Sequence, residues 1–347
     1  MKKKCGLILV AVLFGAALLA ASGPALAADV IKLTIAGFTP PGAGAIPSVT
    51  LDKYKEEVEK RTKGKVKITV FHGGTLLHAK NMWDGLLKGV ANAGSSCMAY
   101  TPGRFPLLDL VDLPHGFSNT TVSSRILWDL YTKFKPAEFA DLKVLYLYTS
   151  GVGKDAGGIY SKFPVRRMED LKGKEIRATG VGSKALEALG ATPVAMPMPE
   201  VYEALSKGIV QGVYTSFDIL KAYKHAELVK YVTPAPNPTA SFYVAMNLRT
   251  WNRLPDDVKK LLDDMGEEMS VWTGTAFHKG SLEGYKYAIQ EGCEAITLSD
   301  EEKARWTKRF QPLIDGYLAK AAAKGLPGQE CLDELNRLKV KYEKIYE

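Results

Sequence analysis

The stretch KEIRATGVGSKALEALGATPVAMP (174–197) decides the fold, because it reads as a strand, a helix and a second strand. Its first part carries the apolar Ile176 and ends at a glycine turn, its middle has the apolar spacing of a helix, and its last part is extended again. Two strands joined by a crossover helix lie parallel in one sheet, with the helix on its face. This stretch therefore predicts an α/β fold.

The same alternation occurs on the N-terminal side. Three strands, IKLTIAGF (31–38), KVKITVFHG (65–73) and AGSSCMAY (93–100), are separated by two amphipathic helices. The Gly-rich bend SGVGKDAGG (150–158) and the proline-rich segment at 231–248 are candidate crossovers between two α/β domains. Residues 256–292 have no interior proline, which predicts one long helix or a kinked pair along both domains.

The first 27 residues have the three parts of a secretory signal peptide. Residues 2–4 are lysines, Leu7 to Ala21 form an apolar stretch, and Ala25-Leu26-Ala27 offers a small-x-small cleavage site. The apolar stretch is too short for a good membrane span. We therefore expect a soluble mature chain that begins near Ala28 and resides in the periplasm.

Composition and motifs exclude several classes of function. The formal net charge of +8 is spread along helices instead of clustering with aromatic residues, so we expect no nucleic-acid partner. The sequence has no HExxH, CxxC, GxSxG or phosphate-loop motif, so we expect no metal, no cofactor and no catalytic residue. Cys97 is expected to be a buried thiol, whereas Cys293 and Cys331 could form a disulfide in an oxidising compartment.

Arg177 is the first candidate for a ligand-binding residue, because it stands where a strand ends. In open α/β sheets, ligands bind in the crevice beyond the carboxyl ends of the strands. A guanidinium at that place offers two N–H groups in a rigid fork that fits a carboxylate. The residues alone leave a second interpretation open, in which Arg177 forms a surface ion pair with a nearby acid.

Three segments together resemble a known family: PVRRMEDLKGKEIRATG (164–180), LGATPVAMPMPEVYEALSKGIVQGVYTS (189–216) and YVAMNLRTWNRLP (243–255). They are similar to the DctP-like dicarboxylate-binding receptors, the extracytoplasmic solute receptors of tripartite ATP-independent periplasmic (TRAP) transporters. The motif Glu200-Val201-Tyr202 is the most specific part of the likeness. Gln211 departs from the family, which usually has aspartate there, and Thr215 stands where asparagine is common.

The resemblance implies a protein that is not an enzyme. It implies two α/β domains that close over a ligand in the cleft between them, with a long helix spanning both. Domain I would comprise residues 28–153 plus 241–281, and domain II residues 154–240 plus 282–347 with the C-terminal helices. It also implies that Arg177 binds the ligand's carboxylate and that membrane permease subunits receive the ligand. We expect a monomer.

The ligand should meet the residues at the ends of the cleft strands. These candidates offer one cation among apolar and aromatic walls, which favours a monocarboxylate, such as a 2-oxo, 2-hydroxy or aromatic acid, over a C4-dicarboxylate. Gly157, at a position where some relatives carry a second arginine, would leave room for an apolar group, although Arg104 could add a second cation. The candidate ligand-binding residues are Phe38, Thr75, Tyr100, Arg177, Met198, Tyr214, Thr215, Phe217 and Phe242.

Three alternatives accompany this interpretation. The protein could be a C4-dicarboxylate receptor, or a sensory protein that presents its ligand to a membrane sensor. More remotely, it could be a secreted hydrolase or lyase, which would need an acid–base pair such as His72, or His115 with Asp112, near the crevice.

Overall fold

The computed structural model describes residues 30–42 and 44–346, and these residues form two β-sheets with helices packed on them. The expected signal peptide, residues 1–27, lies outside the described residues. No described helix is both long enough and apolar enough to cross a membrane. The α/β architecture predicted from the sequence is confirmed.

The first sheet has five strands in the order β2-β1-β3-β10-β4. Strand β1 pairs in parallel with β2 and β3, and β10 enters antiparallel between β3 and β4. The late strand β10 is thus the returning segment that the proline-rich stretch predicted. The strands are β1 (Ile31–Gly37), β2 (Val66–Phe71), β3 (Ala93–Cys97), β4 (Leu142–Thr149) and β10 (Ser241–Asn247).

The second sheet has six strands in the order β11-β9-β5-β8-β6-β7. Strand β6 lies parallel to both β7 and β8, so the stretch at 174–197 does form a strand–helix–strand unit. Strand β5 follows the Gly-rich bend and pairs antiparallel with β8 and β9. The strands are β5 (Gly157–Ser161), β6 (Glu175–Arg177), β7 (Thr192–Val194), β8 (Gly212–Ser216), β9 (Tyr231–Pro234) and β11 (Glu294–Ala295).

Ten α-helices of the described chain cover these sheets. In chain order they are α1 (Ile46–Arg61), α2 (Met82–Lys88), α3 (Thr120–Phe134), α4 (Val181–Ala188), α5 (Val201–Ser206), α6 (Asp218–Ala222), α7 (Leu248–Arg253), α8 (Asp256–Gln290), α9 (Asp300–Ala323) and α10 (Gly328–Tyr346).

The long helix α8 joins the two sheets into one structure. It is a single helix, and it packs on α1, α3 and β4 of the first sheet and on α6 of the second. Glycine makes the close approach possible, since a Cβ at Gly284 would lie only 2.0 Å from the backbone oxygen of Phe217. The expected helix along both sheets is therefore present, without a kinked pair.

The last two helices pack on different sheets. Trp306 and Phe310 of α9 belong to a core of the second sheet, whereas Cys331 and Leu335 of α10 belong to the core of the first. Residues 328–346 thus pack with the first sheet, although the expected domain II included them, because an amphipathic pattern does not specify the surface that it will cover. Cys293 lies in another core, and both Cys293 and Cys331 are free thiols.

Candidate ligand-binding site

A cavity lies where strands of both sheets end. Phe38 follows β1 and Cys97 ends β3 in the first sheet, while Arg177 ends β6 and Ser216 ends β8 in the second. Both pairs stand at the carboxyl ends of parallel strands, where α/β sheets leave a crevice. The topology therefore brings strand ends that are distant in sequence together around one space.

Arg177 is fixed in this cavity by a backbone carbonyl. Its side chain is buried, with the residue 3% exposed, and its Nε and Nη2 atoms donate to the Met196 oxygen at 3.0 and 2.7 Å. No carboxylate of the described residues lies within ion-pair distance, and Nη1 has no hydrogen bond to them. A buried cation held in one orientation without an anion is suited to pair with an anionic ligand.

Tyr100 supplies a second donor beside Arg177. Its hydroxyl oxygen accepts a hydrogen bond from the Met198 backbone N–H at 3.1 Å, so the hydroxyl proton remains available for a ligand. Burial raises the pKa of Tyr100 to about 12, and the nearby Arg177 cation lowers that pKa only in part. The phenol therefore stays protonated near neutral pH and can donate to a carboxylate.

Aromatic rings form the first-sheet wall of the cavity. Phe38 meets Tyr100 edge to face, with ring centroids 5.6 Å apart, and stacks on Phe242 at 6.4 Å. Phe242 stacks in turn on Tyr148 at 5.1 Å and packs against Phe277 at 6.0 Å. Such rings present apolar area to a ligand and are held in place by their mutual packing.

The cavity is also lined by polar residues that the sequence analysis did not single out, and two of them, Asp218 and Tyr223, have side-chain oxygens without partners in the described structure. Asp218 is 3% exposed, and among the described residues neither of its carboxylate oxygens has a hydrogen-bond donor; the Tyr223 hydroxyl likewise has no partner there. Burial raises the pKa of Asp218 from 3.8 to about 6, and the nearby Ser216 and Ser281 hydroxyls lower that pKa only in part. The signal for Asp218 was a carboxylate directly after a strand that already carried candidates.

Six of the nine predicted site residues line this cavity, which places most of the expected cleft in one location. They are Phe38, Tyr100, Arg177, Met198, Thr215 and Phe242.

The other three predicted residues lie elsewhere. Thr75 is exposed in the turn after β2, an edge strand of the first sheet, and it does not line the cavity. Tyr214 points to the opposite face of β8, where its hydroxyl donates to the Pro236 oxygen. Phe217 is fully buried and stacks on Tyr285, with centroids 5.6 Å apart. Strand alternation and sheet order, not residue type, account for these differences.

Arg104 and Gly157, which the sequence also suggested, do not line the cavity. The Arg104 guanidinium lies over the Trp83 ring, 5.0 Å from its centroid. The Gly157 position offers no free room, because a Cβ there would lie 2.5 Å from Nδ2 of Asn237. The expected space for an apolar ligand group at Gly157 is therefore filled by the protein itself.

The proposed acid–base residues do not meet. His72 pairs with Asp52 at 2.9 Å, and Nε2 of His115 lies 2.8 Å from the Leu110 oxygen, while Asp112 accepts from Ser241 at 2.6 Å. Of the described residues, no histidine lines the cavity, and no cluster of His, Cys, Asp and Glu could hold a metal ion. The arrangement is thus suited to binding an anion beside an apolar surface.

Comparison with known proteins gives a consistent assignment. Residues 46–321 match the family described as bacterial extracellular solute-binding protein, family 7 (DctP). The chain is 28% identical over 323 residues to the C4-dicarboxylate-binding periplasmic protein DctP of Rhodobacter capsulatus, a match that covers 88% of this chain and 91% of that protein.

Solved structures agree with the family match. A TRAP periplasmic solute-binding protein from Desulfovibrio salexigens superposes with a TM-score of 0.79 at 43% identity, covering 91% of this chain and 98% of that one. That protein is in an open complex, with the C-terminus of a symmetry mate in its ligand-binding site. A marine metagenome TRAP solute-binding protein specific for aromatic acids, crystallised with 3-hydroxybenzoate, gives a TM-score of 0.84 at 27% identity, covering 90% and 99%.

Proposed function

The chain belongs to the DctP family of bacterial extracellular solute-binding proteins, and on that basis we propose that it binds a small monocarboxylic acid for a TRAP permease. The observation that carries this proposal is the buried Arg177 guanidinium, which only a backbone carbonyl engages among the described residues. A ligand carboxylate would complete its hydrogen bonding and neutralise its charge. The family is one of transport receptors, so the hydrolase alternative falls away.

A monocarboxylate fits the cavity better than a C4-dicarboxylate. Arg177 is the single cation among the cavity-lining residues, and the opposite polar group, Asp218, is itself an acid. A second ligand carboxylate would meet no cation and would be repelled if it approached Asp218. The wall of Phe38 and Phe242 instead favours an apolar or aromatic body, as in the similar metagenome protein that takes aromatic acids.

One observation supports the alternative that the ligand is a C4-dicarboxylate. The relative from Rhodobacter capsulatus, similar over most of both chains, carries that ligand class in its name. A dicarboxylate would need a second cation, and Arg104, the candidate from the sequence, packs on Trp83 away from the cavity. We therefore rank it second.

The ligand would be captured in the periplasm by closure of the two sheets around it and then released to the permease. Closure of two domains around a ligand is a common hinge motion, and the crossovers at 150–156 and 235–240 are suited to act as its hinges. We propose that the receptor acts as a monomer. Uptake measured in a deletion strain would separate transport from a purely sensory role, since a sensory protein would leave uptake unchanged.

A thermal-shift screen of the mature protein tests the ligand class directly. The panel pairs monocarboxylates (benzoate, phenylacetate, mandelate, lactate, pyruvate) with succinate, malate and fumarate. A ligand at a hundredfold excess over its Kd stabilises by about 2.7 kcal/mol, which gives a clear shift. We expect the largest shift from a monocarboxylate, and a largest shift from succinate or malate would favour the second-ranked function.

A further inference from the structure

We infer that Asp218 accepts a hydrogen bond from the ligand, so that the bound acid carries a hydroxyl or amino group at a distance from its carboxylate. This inference rests on the proposed function, in which the carboxylate pairs with Arg177. It adds a second recognition point and a chemical class, since an unsubstituted acid would leave Asp218 without a donor.

The Asp218 carboxylate has no hydrogen bond of ordinary geometry among the described residues, although the Ser216 and Ser281 hydroxyls and the backbone N–H groups of Asp218 and Ile219 lie near it. Asp218 lines the cavity, is 3% exposed, and neither of its oxygens accepts a hydrogen bond from the described residues. Behind it runs the backbone of α8, since a Cβ at Gly284 would lie 2.9 Å from the Asp218 Cα. The amides of a helix interior already bond within the helix, so that side supplies no donors.

Nearby hydroxyls do not satisfy this carboxylate either. Ser216 and Ser281 are close enough to affect its proton affinity, yet neither makes a hydrogen bond to it of ordinary geometry. The Ser281 hydroxyl, which lies close to Gly151, is itself without a hydrogen-bond partner among the described residues. A buried acceptor without a donor is costly, and the open direction that remains is the cavity.

Arg177 and Asp218 face the same cavity with opposite charges, but no ion pair joins them in the described structure. Arg177 is held by the Met196 oxygen instead. The complementary molecule has an anion at one end and a hydrogen-bond donor at the other. A metal ion is a poor occupant, because Asp218 is the one carboxylate among the lining residues.

Matched pairs of acids test this assignment. Calorimetric titrations at pH 7.5 would compare benzoate with 3-hydroxybenzoate and 3-aminobenzoate, and phenylacetate with 3-hydroxyphenylacetate. We expect the wild type to bind at least one substituted acid about tenfold more tightly than its parent, the size of effect that one buried hydrogen bond to a charged group produces. Comparison of the amino-substituted with the hydroxyl-substituted acid shows which donor group Asp218 prefers.

Asp218→Ala should remove that preference, and Asp218→Asn, whose neutral amide oxygen is a weaker acceptor, should reduce it, while the parent acid still binds to both variants. Retained binding of the parent acid shows that each variant is folded. Asp264→Asn is the matched control, because Asp264 is an exposed acid in a surface pair with Lys260. It should leave all affinities unchanged.

Three outcomes would overturn the inference. The first is a wild type without preference in any pair. The second is an Asp218→Ala variant that keeps the wild-type preference. The third is an Asp218 variant that loses parent and substituted acids equally, which would mark a structural role. Arg177→Ala separates the two proposals: if it abolishes binding of both members of a pair while Asp218→Ala leaves the preference intact, the proposed function stands and this inference fails.

Discussion

The two walls of the cavity differ in whether their side chains have partners within the protein. On the first-sheet wall, Phe38, Tyr100 and Phe242 are packed against each other and against the core beneath. On the second-sheet wall, Arg177 and Asp218 are buried charges without ion partners among the described residues. The side chains of the first wall are held by contacts within the protein. The charges of the second wall gain a partner only when a ligand binds. Substitutions on the first wall should therefore reduce stability, and those on the second should change binding.

The largest expected effect is on the first wall. Phe242→Ala would remove a buried ring that stacks on Tyr148 and contacts Phe277, and it should lower the free energy of unfolding by about 3–5 kcal/mol. Denaturant unfolding without ligand measures this loss. Phe242→Leu, which keeps most of the volume, serves as the control and should lose much less. Normal stability of Phe242→Ala would show that the ring is not part of the packed core.

Arg177→Ala should have nearly as large an effect, but on affinity. Losing a charge-assisted pair in a closed site costs on the order of 2–5 kcal/mol, so binding of the best acid from the screen should weaken by more than about tenfold. Arg177→Lys should also bind poorly, because an ammonium does not reproduce the guanidinium fork. Calorimetry measures both, with the exposed Arg253→Ala as control. Unchanged affinity in Arg177→Ala would refute its role.

Asp218→Asn should stabilise the ligand-free protein near neutral pH. Burial raises the pKa of Asp218 from 3.8 to about 6, so the folded state holds this proton more tightly than the unfolded state does. The associated stability is present below pH 3.8 and is lost as the pH rises through about 6. Removing the charge should then raise stability at pH 7.5 by up to about 3 kcal/mol and change it little at pH 4.

Thermal unfolding of both proteins across this pH range measures the difference. The other ionisable groups that line the same cavity are Arg177, Tyr100, Tyr223 and Cys97, and burial raises the pKa of the two tyrosines and the thiol well above the range of the experiment. Asp264→Asn is again the exposed control. A stability difference that is equal at pH 4 and pH 7.5 would mean that the Asp218 charge is not its cause.

Thr75→Ala should have the smallest effect. Thr75 was a candidate from the sequence, but it lies exposed after an edge strand, and its hydroxyl bonds only to the nearby His72 oxygen. We expect its stability to stay within about 0.5 kcal/mol of the wild type and its affinity to stay unchanged. A clear loss of affinity would mean that the cleft extends farther than the cavity described above.

Local patterns in the sequence predicted the elements but not which surfaces would meet. The long helix and the strand–helix–strand unit whose first strand ends in Arg177 follow from short-range periodicity, and both crossovers follow from local glycine and proline content. The placement of α10 on the first sheet and of Thr75 at its edge depends on strand order, which is a long-range property. Tyr214 and Thr215 are neighbours in sequence, but only Thr215 reaches the cavity. The absence of a well-formed hydrogen bond at Asp218 within the described chain depends on all its neighbours and has no signature in sequence.

The segment from Met196 to Met198 has a consequence for how long a ligand stays bound. The Met196 carbonyl oxygen accepts a hydrogen bond from the Arg177 guanidinium. The Met198 N–H donates to the Tyr100 hydroxyl on the opposite wall. Opening of the cleft would therefore break the hydrogen bond between Tyr100 and the segment that orients the Arg177 guanidinium. One neutral hydrogen bond contributes about 1 kcal/mol, which corresponds to a factor of about five in an opening rate. Such a contact is weak enough that a permease can break it when it takes over the cargo, yet it lengthens the residence time during diffusion.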